Sequence, residues 1–192
     1  MSGFRMIGSP QQRRQLLQVA RKTSGHVLVV GAAKREAPEA PLIEGRFGGA
    51  FVTFWNAKAL RGCVGTFAPT TDINATIQDV TKASLKDPRF AADPITAAEL
   101  KDLEIEISIL SDPVPTDDPA SLVPGRHGIV VRRGMQSGCF LPKVAIERDW
   151  SAEEFLSNCC TMKAGLAADA WREPDTEVLL FEAEVFSESQ FA

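Results

Sequence analysis

Residues 60–66 read LRGCVGT, a cysteine between two glycines with an arginine two residues before it. A thiolate is a nucleophile, and a guanidinium beside it favours that reactive form. Residues two apart on a strand share a face, so alternation puts Arg61 beside Cys63 and makes Cys63 the candidate catalytic residue. A base must come from elsewhere. The chain has two histidines, His26 and His127, and His127 opens a later hairpin from which it could approach. The structural alternative is a small free cysteine packed in a crowded strand.

The flanking glycines pose a second question. Gly62 and Gly65 weaken a strand unless something must come close, either a helix of the same chain or a ligand. Around a ligand, Arg61, Thr66, Asp87, Arg89 and Lys143 would supply polar contacts at the rim. Asp87 and Arg89 could instead pair with each other or cap a helix. A zinc set of Cys63, Cys139, His127 and one of Cys159 or Cys160 exists on paper, but its spacings match no ligand pattern. Adjacent Cys159 and Cys160 point about 100° apart on a helix. Packing cysteines are the better reading, and no metal or cofactor is assigned.

These residues sit in a chain of 192 residues with 44% apolar content and a net charge of −4. That suits one ordinary domain or two small lobes with a real core. An acidic balance, with a pI near 5.3, argues against nucleic acid or an anionic membrane surface as partner. The start shows no apolar run of a signal peptide, and no stretch of about 20 apolar residues could span a bilayer. Four cysteines without a secretory signal are expected to stay reduced, which places the protein in the cytoplasm.

The positioning elements follow from punctuation and period. Ser9 and Pro10 open a helix whose spacing runs past Gly25 to about Ala33. The proline-rich APEAPLIEG comes next. GGAFVTFWNAKALRGCVGTFAP reads as a hairpin turning at NAK. Asp72 caps a helix that KDPRF ends. Thr96 and Glu99 form a capping-box pattern for a short helix. LEIEISIL alternates cleanly as a strand with one wet side, and SDPVPTDDP is a loop. HGIVVRR and SGCFLP make a second hairpin around Arg133-Gly134-Met135. Ser151 and Glu154 repeat the capping box before a helix reaching Lys163, with Gly165 as its stop. EVLLFEAEVFS is the last strand. The three tryptophans, 55, 150 and 171, read as core or lobe-joint anchors.

The second half echoes the first. Gly-Cys at 62–63 recurs at 138–139, and the strand ending at Ser111 is echoed by one ending at Ser187, both at an offset of 76 residues. The expected fold is α+β: two subdomains built on antiparallel sheet, an internal β–β–α–β duplication and an N-terminal helix. The expected organisation is one domain over 9–187, with a first unit at 9–111 and a second at 125–187. A sheet edge offers a route to homodimerisation, which the sequence leaves open.

LRGCVGTFAP resembles the signature of the AMMECR domain, also named AmmeMemoRadiSam system protein A. That family usually shows L-R-G-C-I-G, and Val64 replaces the isoleucine here. The resemblance extends through GAFVTF, DPRF, LEIEISILSDP, GCFLPKVAIERDW, EEFL, KAGL and Trp171, nearly the whole chain. Lys143 departs from it, standing where the family has glutamine. The resemblance implies the same two-subdomain fold and no particular reaction. It implies a place in a modification pathway beside a Memo-like protein and a radical-SAM protein. The radical chemistry would belong to that partner, since this chain has no cysteine triplet for an iron–sulfur cluster. The leading functional reading is a recognition or accessory module that binds a peptide, small molecule or partner protein along the 60–66 strand. The alternative is an enzyme using Cys63 as nucleophile or redox thiol. A third reading makes LRGCVG purely structural.

Overall fold

The computed structural model describes residues 7, 9–30 and 41–191. The chain divides after Leu110 and again after Ala183. Ser111–Ala183 form one unit, and the residues before and after them form the other. The far end of the last strand, from Glu184, therefore belongs with the first unit.

The first unit opens with α1 (Pro10–Val30), where the Ser9 hydroxyl accepts the Gln12 N–H at 3.2 Å. Gly25 does not end it. The expected end at Ala33, and residues 37–40 of the proline-rich connection, lie outside the described residues. β1 (Gly49–Asn56) and β2 (Ala59–Thr66) form the first hairpin. Asp72 caps α2 (Ile73–Ser84) by accepting the Ala75 N–H at 3.0 Å. β3 (Leu103–Leu110) then returns antiparallel onto β1. Period-2 alternation sends Ala50, Val52, Phe54, Ile105, Ile107 and Ile109 to one face. There they pack with Leu16, Leu17 and Ala20 of α1 and with Ile73, Ile77 and Val80 of α2. Burying each large side chain of this set contributes about 1.5–3 kcal/mol before entropy is counted.

The second unit repeats the plan. β4 (Val114–Pro115) pairs with Leu180 and Leu179, so part of the expected SDPVPTDDP loop is strand. β5 (His127–Arg133) and β6 (Gln136–Phe140) form a hairpin across Gly134 and Met135, with Gly134 at φ 57. A short α3 (Pro142–Glu147), not anticipated from sequence, precedes α4 (Ala152–Cys159). The Ser151–Glu154 capping box forms in full. Cys160–Ala164 continue as a single π turn, which Gly165 closes in the left-handed conformation at φ 68. β7 (Glu177–Ser187) pairs back onto β5. Ile129, Val131, Phe140, Phe155, Leu156, Cys159, Trp171 and Val178 form the core.

Each unit thus has a hairpin, a helix and a third strand laid against the hairpin's first strand. The duplicated glycine does the same job in both. A Cβ on Gly62 would lie 2.3 Å from the carbonyl oxygen of Ser84, at the end of α2. A Cβ on Gly138 would lie 2.5 Å from the backbone nitrogen of Ala164, at the end of the helical segment after α4. Among the described residues, no helix is long and apolar enough to cross a membrane.

Candidate functional site

The sheet of the first unit has a second face, away from the helices. Register places Cys63 opposite Thr53, and Thr53 opposite Glu106, so the three side chains form one row across β2, β1 and β3. The next row carries Leu60, Trp55 and Glu104. Thr53 Oγ1 donates to Cys63 Sγ at 3.3 Å.

Leu60 and Arg61 depart from the simple alternation. Phe54 pairs with Gly62 and Trp55 with Leu60, so Arg61 is the extra residue of a β-bulge. Leu60 is therefore opposite Trp55 and not in the core row with Gly62, as unbroken alternation would have it. The Arg61 guanidinium turns to the 93–99 segment, contacting Asp93 Oδ2 at 2.9 Å and Glu99 Oε1 at 2.7 Å. Asn56 also donates to Glu99, at 3.2 Å. These contacts, Arg61 foremost, hold the Glu99 carboxyl below its usual range. Glu99 therefore does not reciprocate to Thr96 in a full capping box. It keeps only the half in which its N–H donates to Thr96 Oγ1, at 3.3 Å.

The cation at Cys63 is Arg89. Asp87 Oδ2 accepts the Cys63 N–H at 2.9 Å, and Arg89 Nη2 donates to the Cys63 carbonyl at 3.0 Å. Asp87 and Arg89 also pair with each other, at 2.6 Å. The Arg89 guanidinium, helped by the Cys63 N–H, holds buried Asp87 at about 2 against the desolvation that opposes it. Ser84 Oγ completes the support: it accepts the Val64 N–H at 3.0 Å and donates to the Val52 carbonyl at 2.8 Å.

The remaining candidates are occupied by structure. Gly62 admits the end of α2, and Gly65 lies under the Phe51 ring, which a Cβ would meet at 2.2 Å. Thr66 Oγ1 accepts the Ala68 N–H at 3.0 Å. His127 belongs to the second unit, where its Nδ1 accepts the Val123 N–H at 3.0 Å. Lys143 is on α3 of that unit. Among the described residues, no group of three His, Cys, Asp or Glu could hold a metal.

Beside the Cys63 row is a depression of about 400 Å³ lined by Trp55, Ala57, Lys58, Glu104, Glu106, Ser187 and Ser189. The hydroxyls of Ser189 and Ser187 keep the Glu104 carboxyl below its usual range. Thr53, Glu104 and Glu106 were not singled out from sequence, and Trp55, read there as a core or lobe-joint anchor, instead lines this depression outside the core cluster. Their shared face was visible in the alternation of GAFVTFW and LEIEISIL, but the register that aligns them with Cys63 was not.

Residues 17–186 match the AMMECR1 family. The chain is 41% identical over 187 residues to protein MK0488 of Methanopyrus kandleri, covering 91% of this chain and 87% of that protein. It is 37% identical to a protein of Methanothermobacter thermautotrophicus, covering 94% and 96%. The crystal structure of the uncharacterised protein PH0010 from Pyrococcus horikoshii superposes with a TM-score of 0.79 at 33% identity, covering 90% of this chain and 89% of that one. The chain belongs to the AMMECR1 family.

Proposed function

We propose that this protein is a recognition or accessory module whose working surface is the open face of the β2–β1–β3 sheet, acting with a Memo-like protein and a radical-SAM protein. The observation that carries the reading is the depression beside the Cys63–Thr53–Glu106 row, walled by Trp55, Glu104 and Glu106. An aromatic wall with convergent polar groups in a concavity is the usual form of a binding site. Arg61 supports the surface through its ion pairs with Asp93 and Glu99. The test is co-purification of the Memo-like and radical-SAM proteins with the wild type and with Trp55→Ala, Glu106→Gln and Arg61→Lys. Retention of both partners by Trp55→Ala and Glu106→Gln would overturn the reading.

The hydrogen bond from Thr53 to Cys63 supports a second reading, in which Cys63 is a nucleophile or redox thiol. Alkylation rates across pH decide it. A Cys63 that titrates as an ordinary thiol, unchanged in Thr53→Val, sinks it.

A further inference from the structure

The two duplicated return strands end their sheets differently. β2 pairs with β1 on one side. On its other side, the outward N–H and C=O of Cys63 are met by Asp87 and Arg89, which supply the acceptor and donor that a neighbouring strand would. At Cys63 that edge is closed. β6 pairs with β5 on one side. The residues 76 positions after Asp87 and Arg89 are Lys163 and Gly165, which cannot reproduce that carboxylate–guanidinium clamp.

The β5–β6 register states which groups face outward. Arg133 pairs with Gln136 across the two-residue loop, and in such a hairpin the pair at the loop is hydrogen-bonded and the pairs then alternate. The Arg132–Ser137 and Val130–Cys139 pairs are therefore the non-bonded ones, and the N–H and C=O of Ser137 and Cys139 point away from β5. No hydrogen bond reaches these four groups among the described residues. β6 carries no charge and no proline along Gln136–Phe140, so two of the usual edge-blocking devices are missing.

We propose that the β6 edge receives an extended, acidic segment of a partner protein as an added strand. The rim selects the partner. Lys163 packs against the centre of β6, its Cβ 2.5 Å from where a Gly138 side chain would begin. Its ammonium lies 5.4 Å from the centroid of the Phe140 ring and has no acidic partner among the described residues. A strand laid along β6 would set a side chain over Lys163, where a carboxylate is favoured. Met135 and Met162, the chain neighbours of Gln136 and Lys163, are both exposed and could offer an added strand adaptable apolar contacts. A second copy is the wrong occupant, since a two-fold axis at Gly138 would bring two Lys163 side chains together. Main-chain pairing gives affinity in such added strands and the flanking side chains give selectivity.

The experiment uses the full chain and two capped probes, a hexapeptide of alternating glutamate and valine and its counterpart with lysine for glutamate. The acidic probe should shift the amide resonances of Ser137 and Cys139 and bind about ten-fold more tightly than the basic one. Ser137→Pro removes an outward N–H without removing a rung to β5 and should weaken binding about ten-fold. Lys163→Glu should invert the preference between probes, and it decides the matter if Ser137→Pro does not fold. Absence of shifts at millimolar peptide overturns the proposal. So does binding indifferent to both variants, or a dimer by light scattering that Ser137→Pro dissociates. None of these outcomes bears on the Trp55–Glu106 surface of the first unit.

Discussion

The carboxylate of Asp87 accepts the backbone N–H of Cys63 at 2.9 Å, so the peptide that carries the thiol is held by a charge and not by a neighbouring strand. Arg89 closes the other half of that peptide. The DPRF segment therefore explains itself through LRGCVG: one supplies an edge, the other the clamp that seals it. Cys63, a partly buried residue, is fixed at its backbone while its sulfur accepts from Thr53.

Removal of the clamp should cost stability. In Asp87→Ala the Cys63 N–H loses its acceptor and the Arg89 guanidinium its ion-pair partner, at about 1–3 kcal/mol. The wild type should also show the pH signature of a carboxylate held at about 2 against an ordinary 3.8. A depressed folded pKa stabilises above the unfolded value, so the contribution is complete above about pH 4 and is lost as pH falls toward about 2. Urea unfolding between pH 2 and 7 should show this slope in the wild type and a flatter one in the variant.

The two arginines near Cys63 should separate cleanly. Arg61→Ala strips Glu99 of its main partner and should lower stability by about 1–2 kcal/mol, with the Cys63 alkylation rate unchanged. Arg89→Ala removes the cation at Cys63 and should slow alkylation. Iodoacetamide kinetics from pH 6 to 10 on both variants measure the difference, and equal effects would return Arg61 to the thiol.

The glycines divide by what surrounds them. Gly62→Ala and Gly138→Ala each drive a methyl into backbone at 2.3 and 2.5 Å and should each cost about 1–3 kcal/mol as overpacked sites. Gly25→Ala meets nothing within 4 Å in the middle of α1 and should gain up to about 1 kcal/mol. Thermal unfolding of the three single variants gives the ordering.

Much of this architecture was legible because it rests on local rules. Asp72, Ser151 and Gly165 are caps whose chemistry acts within one helical turn, and LEIEISIL and EVLLFEAEVFS show their period directly. The LEIEISIL strand also exposed two carboxylates on one face before any pairing was known. What could not be read depends on long-range register. A single extra residue, Arg61, turns its side chain from Cys63 to Glu99 and moves Leu60 opposite Trp55. Nothing within 60–66 marks that bulge, because it is set by which residue of β1 each residue of β2 meets. For the same reason Thr53 and Glu106 were invisible as neighbours of Cys63, while the chemistry of the cysteine itself was plain.

His127 provides a separable pH response in the second unit. Its Nδ1 accepts the Val123 N–H at 3.0 Å, which requires that nitrogen to be unprotonated. Burial, aided by the nearby Arg126 charge and opposed by Glu182, pushes its pKa below the usual 6.5. A histidine with a lowered folded pKa stabilises the fold above the unfolded value and ceases to do so as pH falls through the folded one. The wild type should therefore hold its full contribution above about pH 6.5 and lose it on acidification, as the turn at 123–127 gives up its acceptor. His127→Ala should be less stable at pH 7.5 and should approach the wild type toward pH 5. The imidazole's NMR titration midpoint should fall below 6.5, and a midpoint above it would show that protonation strengthens the turn.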